Sequence, residues 1–282
     1  MSGMNKLSTA DRVAVVRALV EGCSLRATAR MTGVARNTVN KLLLDLGAAV
    51  VAFQNQTIVN LTTKRVECDE IWSFVGMKEK NVPKERRAEF GVGDVWTWTA
   101  IDADSKLCVS WLVGERDSES ATLFMKDVAS RLANRVQLST DGHKPYLVAV
   151  DAAFAGEIDY AQIVKKYGIQ STTDQRRYSP AVCCGIDKTE ICGAPDEAKI
   201  STSYVERQNL NMRMNMRRFT RLTNAFSKKV ENHMAAINLY FMHYNFGRVH
   251  QTLKTSPAVK AGIADHVWSV EEIVALLDQV SN

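Results

Sequence analysis

The stretch Ser203-Tyr204-Val205-Glu206-Arg207-Gln208-Asn209, with the basic segment behind it, decides how the rest of the chain is read. From Lys199 to Lys229 there are eight Lys or Arg and one acid, Glu206. One carboxylate in so cationic a helix calls for a reason. Positions seven and eleven apart share a helix face, so the spacing predicts Glu206, Arg213 and Arg217 in one row. Val205, Met212, Met216 and Phe219 form the adjacent, core-facing row. A carboxylate beside guanidiniums suits a site that holds a metal ion next to a polyanion. A plain solvated basic face is the competing reading, and the rest of the chain decides between them.

Working outward, the 282 residues suffice for about two domains. Apolar content of 46% and charge of 24% are ordinary for a globular protein, and the net charge is only +5. The charge is clustered: residues 1–60 carry seven basic and three acidic side chains, and 199–229 are far more basic. Two separated basic regions point to a polyanionic partner touched at two places. The six cysteines form no disulfide framework, and no apolar run resembles a signal peptide or a membrane span. A cytoplasmic, nucleoid-associated protein is expected, with no membrane partner.

The N-terminus has helical periodicity. Residues 8–22 read as a helix capped by Ser8 or Thr9, Leu25–Met31 as a second and Arg36–Leu46 as a third, with a turn at Thr32-Gly33-Val34. This is a helix-turn-helix pattern, an all-α domain over residues 1–50, followed by a connector at 51–65. Arg26, Arg30, Arg36, Asn37, Asn40 and Lys41 surround the helix that would enter a DNA groove, where Arg and Asn can pair with guanine and adenine edges. A trihelical bundle that binds nothing is the alternative.

The pattern then changes to strands: Val66–Val75, Val95–Ile101, Leu107–Val113 and Val136–Thr140, with a helix at Glu119–Arg135 before the last. Helices are expected from Pro145 to Ala155 and from Tyr160 to Tyr167, with Gly168-Ile169-Gln170 a possible short fifth strand. Residues 171–202 read as an irregular insertion containing Cys183, Cys184 and Cys192, whose role the sequence leaves open; as adjacent thiols they have poor zinc spacing. A tail with its own helix fills 251–282. The order of elements predicts an α/β fold, a ribonuclease-H-like mixed sheet flanked by helices over 66–250. Asp69 lies on the first strand, Asp141 just after the fourth and Glu206 on the later helix. If those strands are neighbours, the three carboxylates converge on a site suited to Mg²⁺ or Mn²⁺. Two ions are expected, serving an in-line phosphoryl displacement. Glu70 is ranked lower, because alternation sends it to the opposite sheet face. Asp102 and Asp104 read as turn residues.

These residues carry a resemblance. Cys68-Asp69-Glu70-Ile71-Trp72-Ser73-Phe74, Thr140-Asp141-Gly142-His143-Lys144-Pro145-Tyr146 and Ser203–Asn209 resemble the motifs of a DDE-type transposase of the insertion-sequence-one family. Arg217–Lys229, His243-Tyr244-Asn245-Phe246, Arg248 and His250 fit the same family. The resemblance implies that Asp69, Asp141 and Glu206 are the catalytic metal ligands and that Arg213 contacts DNA near the cut. It implies binding of terminal inverted repeats of double-stranded DNA, strand cleavage and strand transfer, by a homodimer or higher assembly. The chain departs from the family's founding member in its longer Asp141-to-Glu206 interval and in lacking a cysteine-rich zinc ribbon before the helix-turn-helix. The alternative is a domesticated, non-catalytic DNA-binding regulator that keeps the fold.

Overall fold

A computed structural model describes residues 7–167, 183–220 and 224–279. The chain starts with three helices, α1 (Thr9–Val20), α2 (Leu25–Thr32) and α3 (Arg36–Thr57). Ser8 and Ser24 accept backbone N–H bonds at the starts of α1 and α2, and Gly33 closes α2 at φ 72. Val34 is buried beneath that turn.

The third helix does not stop at Leu46. It runs 22 residues through the segment expected to be a connector. Gly47, which reads as a helix breaker, is a contact instead: a Cβ there would lie 2.6 Å from that of Ala235. Leu43, Leu46, Val50 and Gln54 are buried along the same side, so α3 is a packed element of the main body. Its partner is α7 (Val230–Met242). Asn238 of α7 donates to the Gly47 carbonyl (3.3 Å) and accepts from the Trp111 indole (2.9 Å), tying α3, α7 and the sheet together.

The strands are β1 (Arg65–Val75), β2 (Gly93–Asp102), β3 (Cys108–Gly114), β4 (Gln137–Asp141), β5 (Asp159–Tyr167) and β6 (Cys183–Cys192). They form one mixed sheet in the order β3-β2-β1-β4-β5-β6. The first three are antiparallel, β1, β4 and β5 are parallel, and β6 returns antiparallel to β5. Two expectations are corrected here. Tyr160–Tyr167 is strand, not helix: its aromatic and β-branched residues pair with both β4 and β6. Residues 183–192 of the supposed irregular insertion form an edge strand, with two register shifts against β5. Gly168-Ile169-Gln170 falls outside the described residues. The six cysteines are thiols, none in a disulfide, and Asp102 is a turn residue, accepting from the backbone N–H groups of Asp104 and Ser105.

Helices cover both faces. On one, α4 (Ser118–Arg131) and α5 (Pro145–Phe154) pack on Val66, Cys68 and Trp98 through Phe124, Val128 and Tyr146. On the other, α6 (Ser203–Asn215), the turn after it and α7 pack on Ile71 through Met212, then Met216 and Phe219, then Ile237 and Phe241. The residues expected as one helical core row, Val205, Met212, Met216 and Phe219, are all buried, but the last two lie beyond the end of α6. Two short helices, α8 (Pro257–Lys260) and α9 (Val270–Gln279), finish the chain, with α9 against α1 and α3.

Candidate active site

The length mismatch between two paired strands makes the site. β1 and β4 pair from Arg65↔Gln137 to Cys68↔Thr140. β4 then ends at Asp141, while β1 continues to Val75. Beyond Cys68, no strand lies on the β4 side of β1 until Ser227 bridges to Val75. Asp69 and Glu70 therefore stand on opposite faces of a strand whose neighbour has gone, and both reach round the gap. Carboxylate oxygens of Asp69, Glu70 and Asp141 lie within 4.8 Å of one another. Glu70, ranked lower because alternation sends it to the other face, has its carboxylate in the cluster all the same.

Each carboxylate is held by a different element. Asp69 accepts from its neighbour's backbone, Glu70 N–H (2.8 Å), and from the Asn209 amide of α6 (2.8 Å). Glu70 accepts from the Tyr146 hydroxyl of α5 (3.0 Å) and from Arg116 (Nε 2.7 Å). Asp141 accepts the His143 N–H (3.0 Å), and the Arg116 guanidinium lies 3.8 Å from it. Arg116 is itself placed over the Trp96 ring, 4.8 Å from its centre. Gly142 lets the chain turn beside β5, since a Cβ there would lie 2.7 Å from Val164.

Burial and mutual repulsion dominate the electrostatics. Burial first, then the charges of Glu70 and Asp141, push the Asp69 carboxyl up to about 7, with a smaller push from Glu206. Glu70 is also raised, chiefly by burial and by Asp141, against the opposing pull of Arg116 and Tyr146. Burial lowers His143 and Arg116 lowers it further. Clustered carboxylates that raise one another are short of positive charge. Hard oxygen donors in that state fit a divalent cation such as Mg²⁺ or Mn²⁺.

Glu206 stands one step apart, in the first turn of α6. It is close enough to raise Asp69 but is occupied by a cation of the chain itself: Lys165 of β5 bonds both carboxylate oxygens, 2.5 Å to Oε2. The Thr202 hydroxyl donates to Oε1 at 2.6 Å. The start of α6 is tied to the sheet by Glu67, which accepts the N–H groups of Tyr204 (2.7 Å) and Val205 (3.1 Å). Sequence reasoning missed Arg116 and Lys165. Lys165 was hidden because its segment was read as a helix, which would not aim it at the sheet's open end.

The remaining expected residues divide. Arg26, Arg30, Arg36, Asn37 and Lys41 are exposed on α2 and α3, Asn40 is half-buried, and Lys41 pairs with Asp45 (2.5 Å). Arg213 is half-buried in the last turn of α6. Arg217 does not share a helical row with Glu206 and Arg213. α6 ends at Asn215, whose side-chain amide donates to the Asn211 carbonyl (2.8 Å), and Met216 is extended. Arg217 sits exposed in the 3-10 turn that follows.

Residues 194–247 match the family model of IS1 transposase. The matched span contains Glu206, Arg213 and Arg217 and supports the resemblance to a DDE transposase of that family. None of the curated proteins matches the sequence. Among solved structures, the cryo-EM structure of a piggyBac transposase synaptic complex with hairpin DNA is similar at a TM-score of 0.40 and 12% identity, over 98% of this chain and 72% of that chain. No helix among the described residues is long and apolar enough to cross a membrane.

Proposed function

We propose that the chain is a DDE-type transposase that cuts DNA at transposon ends and joins the freed strand to a target. The observation that carries this reading is the meeting of Asp69, Glu70 and Asp141 at the end of β4, beside the helix of the family-matched span that bears Glu206. The sheet order, with β1 central and β4 parallel beside it, supports a ribonuclease-H-like catalytic body. Asp69, Asp141 and Glu206 are the proposed metal ligands, with Glu70 added by its proximity. Divalent ions held there, two in the expected case, would supply Lewis-acid charge for an in-line displacement at phosphorus.

The protein's own groups have separable tasks. Asn209 orients Asp69, Thr202 orients Glu206, and Tyr146 with Arg116 orients Glu70. Arg116 and Lys165 put positive charge on two sides of the carboxylates, where phosphate oxygens would lie. Arg213 and Arg217 continue that charge along the DNA. Arg26, Arg30, Arg36, Asn37, Asn40 and Lys41 would read the terminal repeats, as a homodimer or larger assembly that brings two ends together. A place in the cytoplasm, on the nucleoid, follows from that substrate.

The test is incubation of purified protein with Mg²⁺ and a labelled transposon end carrying its flanking DNA. Nicked ends and strand-transfer joints are expected, and both should vanish in Asp69→Asn while end binding persists. Sequence-specific binding without cleavage by the native protein would instead make it a non-catalytic regulator.

A further inference from the structure

A groove of about 970 Å³ runs between the N-terminal helices and the segment that follows α6. Arg26 and Arg36 line one wall, and Arg217, Arg218, Lys228 and Lys229 the other. Among the described residues that line it there is no Asp or Glu. Six cations facing one space with no carboxylate between them is an unfavourable arrangement unless an anion completes it.

The groove is built, not incidental. A Cβ on Gly22, at φ 82, would overlap the Asn215 carbonyl, so the α1–α2 turn is seated on the end of α6. The opposite wall is fastened to the sheet. Ser227 bridges to Val75, and its carbonyl accepts the Gly76 N–H at 2.8 Å. Arg218 donates to the Ser227 hydroxyl (2.7 Å) and the Asn232 carbonyl (3.2 Å). That hydroxyl also meets buried His233 (2.9 Å), whose other ring nitrogen meets Ser73 of β1 (3.1 Å). With Arg218 and Ser227 so fixed, Arg217, Lys228 and Lys229 remain exposed around them. Lys228 lies over the Phe226 ring, 3.1 Å from its centre.

We propose that this groove grips the phosphate backbone of the DNA duplex, so that the N-terminal helices and the basic segment of one subunit hold the same stretch of DNA. The inference rests on the reading of the protein as a DNA-acting enzyme, and it assigns new contacts, Lys228 and Lys229, away from the carboxylates, on a wall that Arg218 holds in place. A duplex fits better than a small anion because the cations are spread over two walls and Asn37 and Asn40 stand beside Arg36 to meet base edges. α6 also sets a distance. Glu206 and Asn215 are nine residues apart on one helix, about 14 Å at 1.5 Å per residue. The groove thus lies about that far along α6 from Glu206.

The experiment is fluorescence anisotropy with a labelled DNA duplex in EDTA, which removes any metal-mediated contact, over a range of salt concentrations. The double variant Lys228→Gln, Lys229→Gln should bind more weakly and lower the slope of log affinity against log salt by about 1.8, two phosphates' worth. Arg26→Gln with Arg36→Gln should lower it similarly. Lys228→Arg with Lys229→Arg should keep the native slope, which separates lost charge from lost folding. Lys80→Gln with Lys84→Gln, two exposed lysines between β1 and β2, should leave it unchanged. Native binding with an unaltered slope in the Lys228, Lys229 variant would overturn the groove alone. Failure of the native protein to bind duplex DNA would overturn the transposase reading along with it.

Discussion

At the scale of single residues, Asp69 is the most informative group. Its carboxyl is pushed up to about 7 from an ordinary 3.8, so the folded protein holds this proton where the unfolded chain has released it. The stabilising contribution of the group is complete at low pH and is lost as the pH rises towards 7. Without metal, Asp69→Asn should therefore melt above the native protein at pH 8, by a margin that shrinks as the pH falls to 5.5. Scanning calorimetry in EDTA checks this, and equal melting temperatures at pH 8 would refute the crowding of charge. Mg²⁺ should raise the melting temperature of the native protein more at pH 8 than at pH 5.5, because metal and proton compete for the same oxygens. Lys165 makes a complementary case. It occupies Glu206, so Lys165→Met should tighten Mn²⁺ binding several-fold in a calorimetric titration, at a charge-charge cost typical of a few ångströms' separation. Unchanged affinity would put Glu206 outside the metal site. Glu70→Gln should lose about 1–3 kcal/mol of stability, from its bonds to Arg116 and Tyr146, and weaken metal binding as well. Intact metal binding in that variant would make Glu70 a holding residue only.

At the scale of elements, the legible and the illegible parts of the chain have physical causes. Helices with a capping Ser or Asp and a one-sided apolar row were readable, as at Ser8, Ser24 and Asp117. β1 to β4 were readable from β-branched and aromatic runs. β5 was not, because Tyr160, Ile163 and Val164 fit a helical as well as a strand period, and both neighbours of the strand are remote in sequence. β6 is solvent-exposed along most of its length, so it lacks the apolar alternation that marks a strand. The end of α3 was misplaced for a third reason. Gly47 lowers helix propensity locally, and only the position of Ala235 reveals that its missing side chain is a packing requirement. Gly47→Val should cost about 1–3 kcal/mol by forcing α3 and α7 apart, measured by urea denaturation. A neutral outcome would mean that this crossing is loose. The two aspartates of the candidate site were legible because strand order alone places them. The roles of Arg116 and Glu70 were not, since they depend on β4 being shorter than β1.

At the scale of the whole molecule, one helix joins two tasks. α3 begins with Arg36 and Asn37 at the groove and ends at Thr57, buried for much of its length on α7. Its 22 residues span about 33 Å. The N-terminal helices and the sheet should thus unfold in one transition, with tryptophan fluorescence and far-ultraviolet circular dichroism tracing the same urea curve. Two separated transitions would show that the N-terminal helices are an independent unit. A swivelling reader on a loose tether could bring its ligand to a catalytic centre from many directions. A continuous shaft clamped along its side cannot. On the proposed reading, any misfit between a bound duplex and the carboxylates would then be absorbed by curvature of the DNA. The flexibility of the nucleotide steps between groove and cut would become a sequence preference in its own right, exerted at positions that no side chain touches.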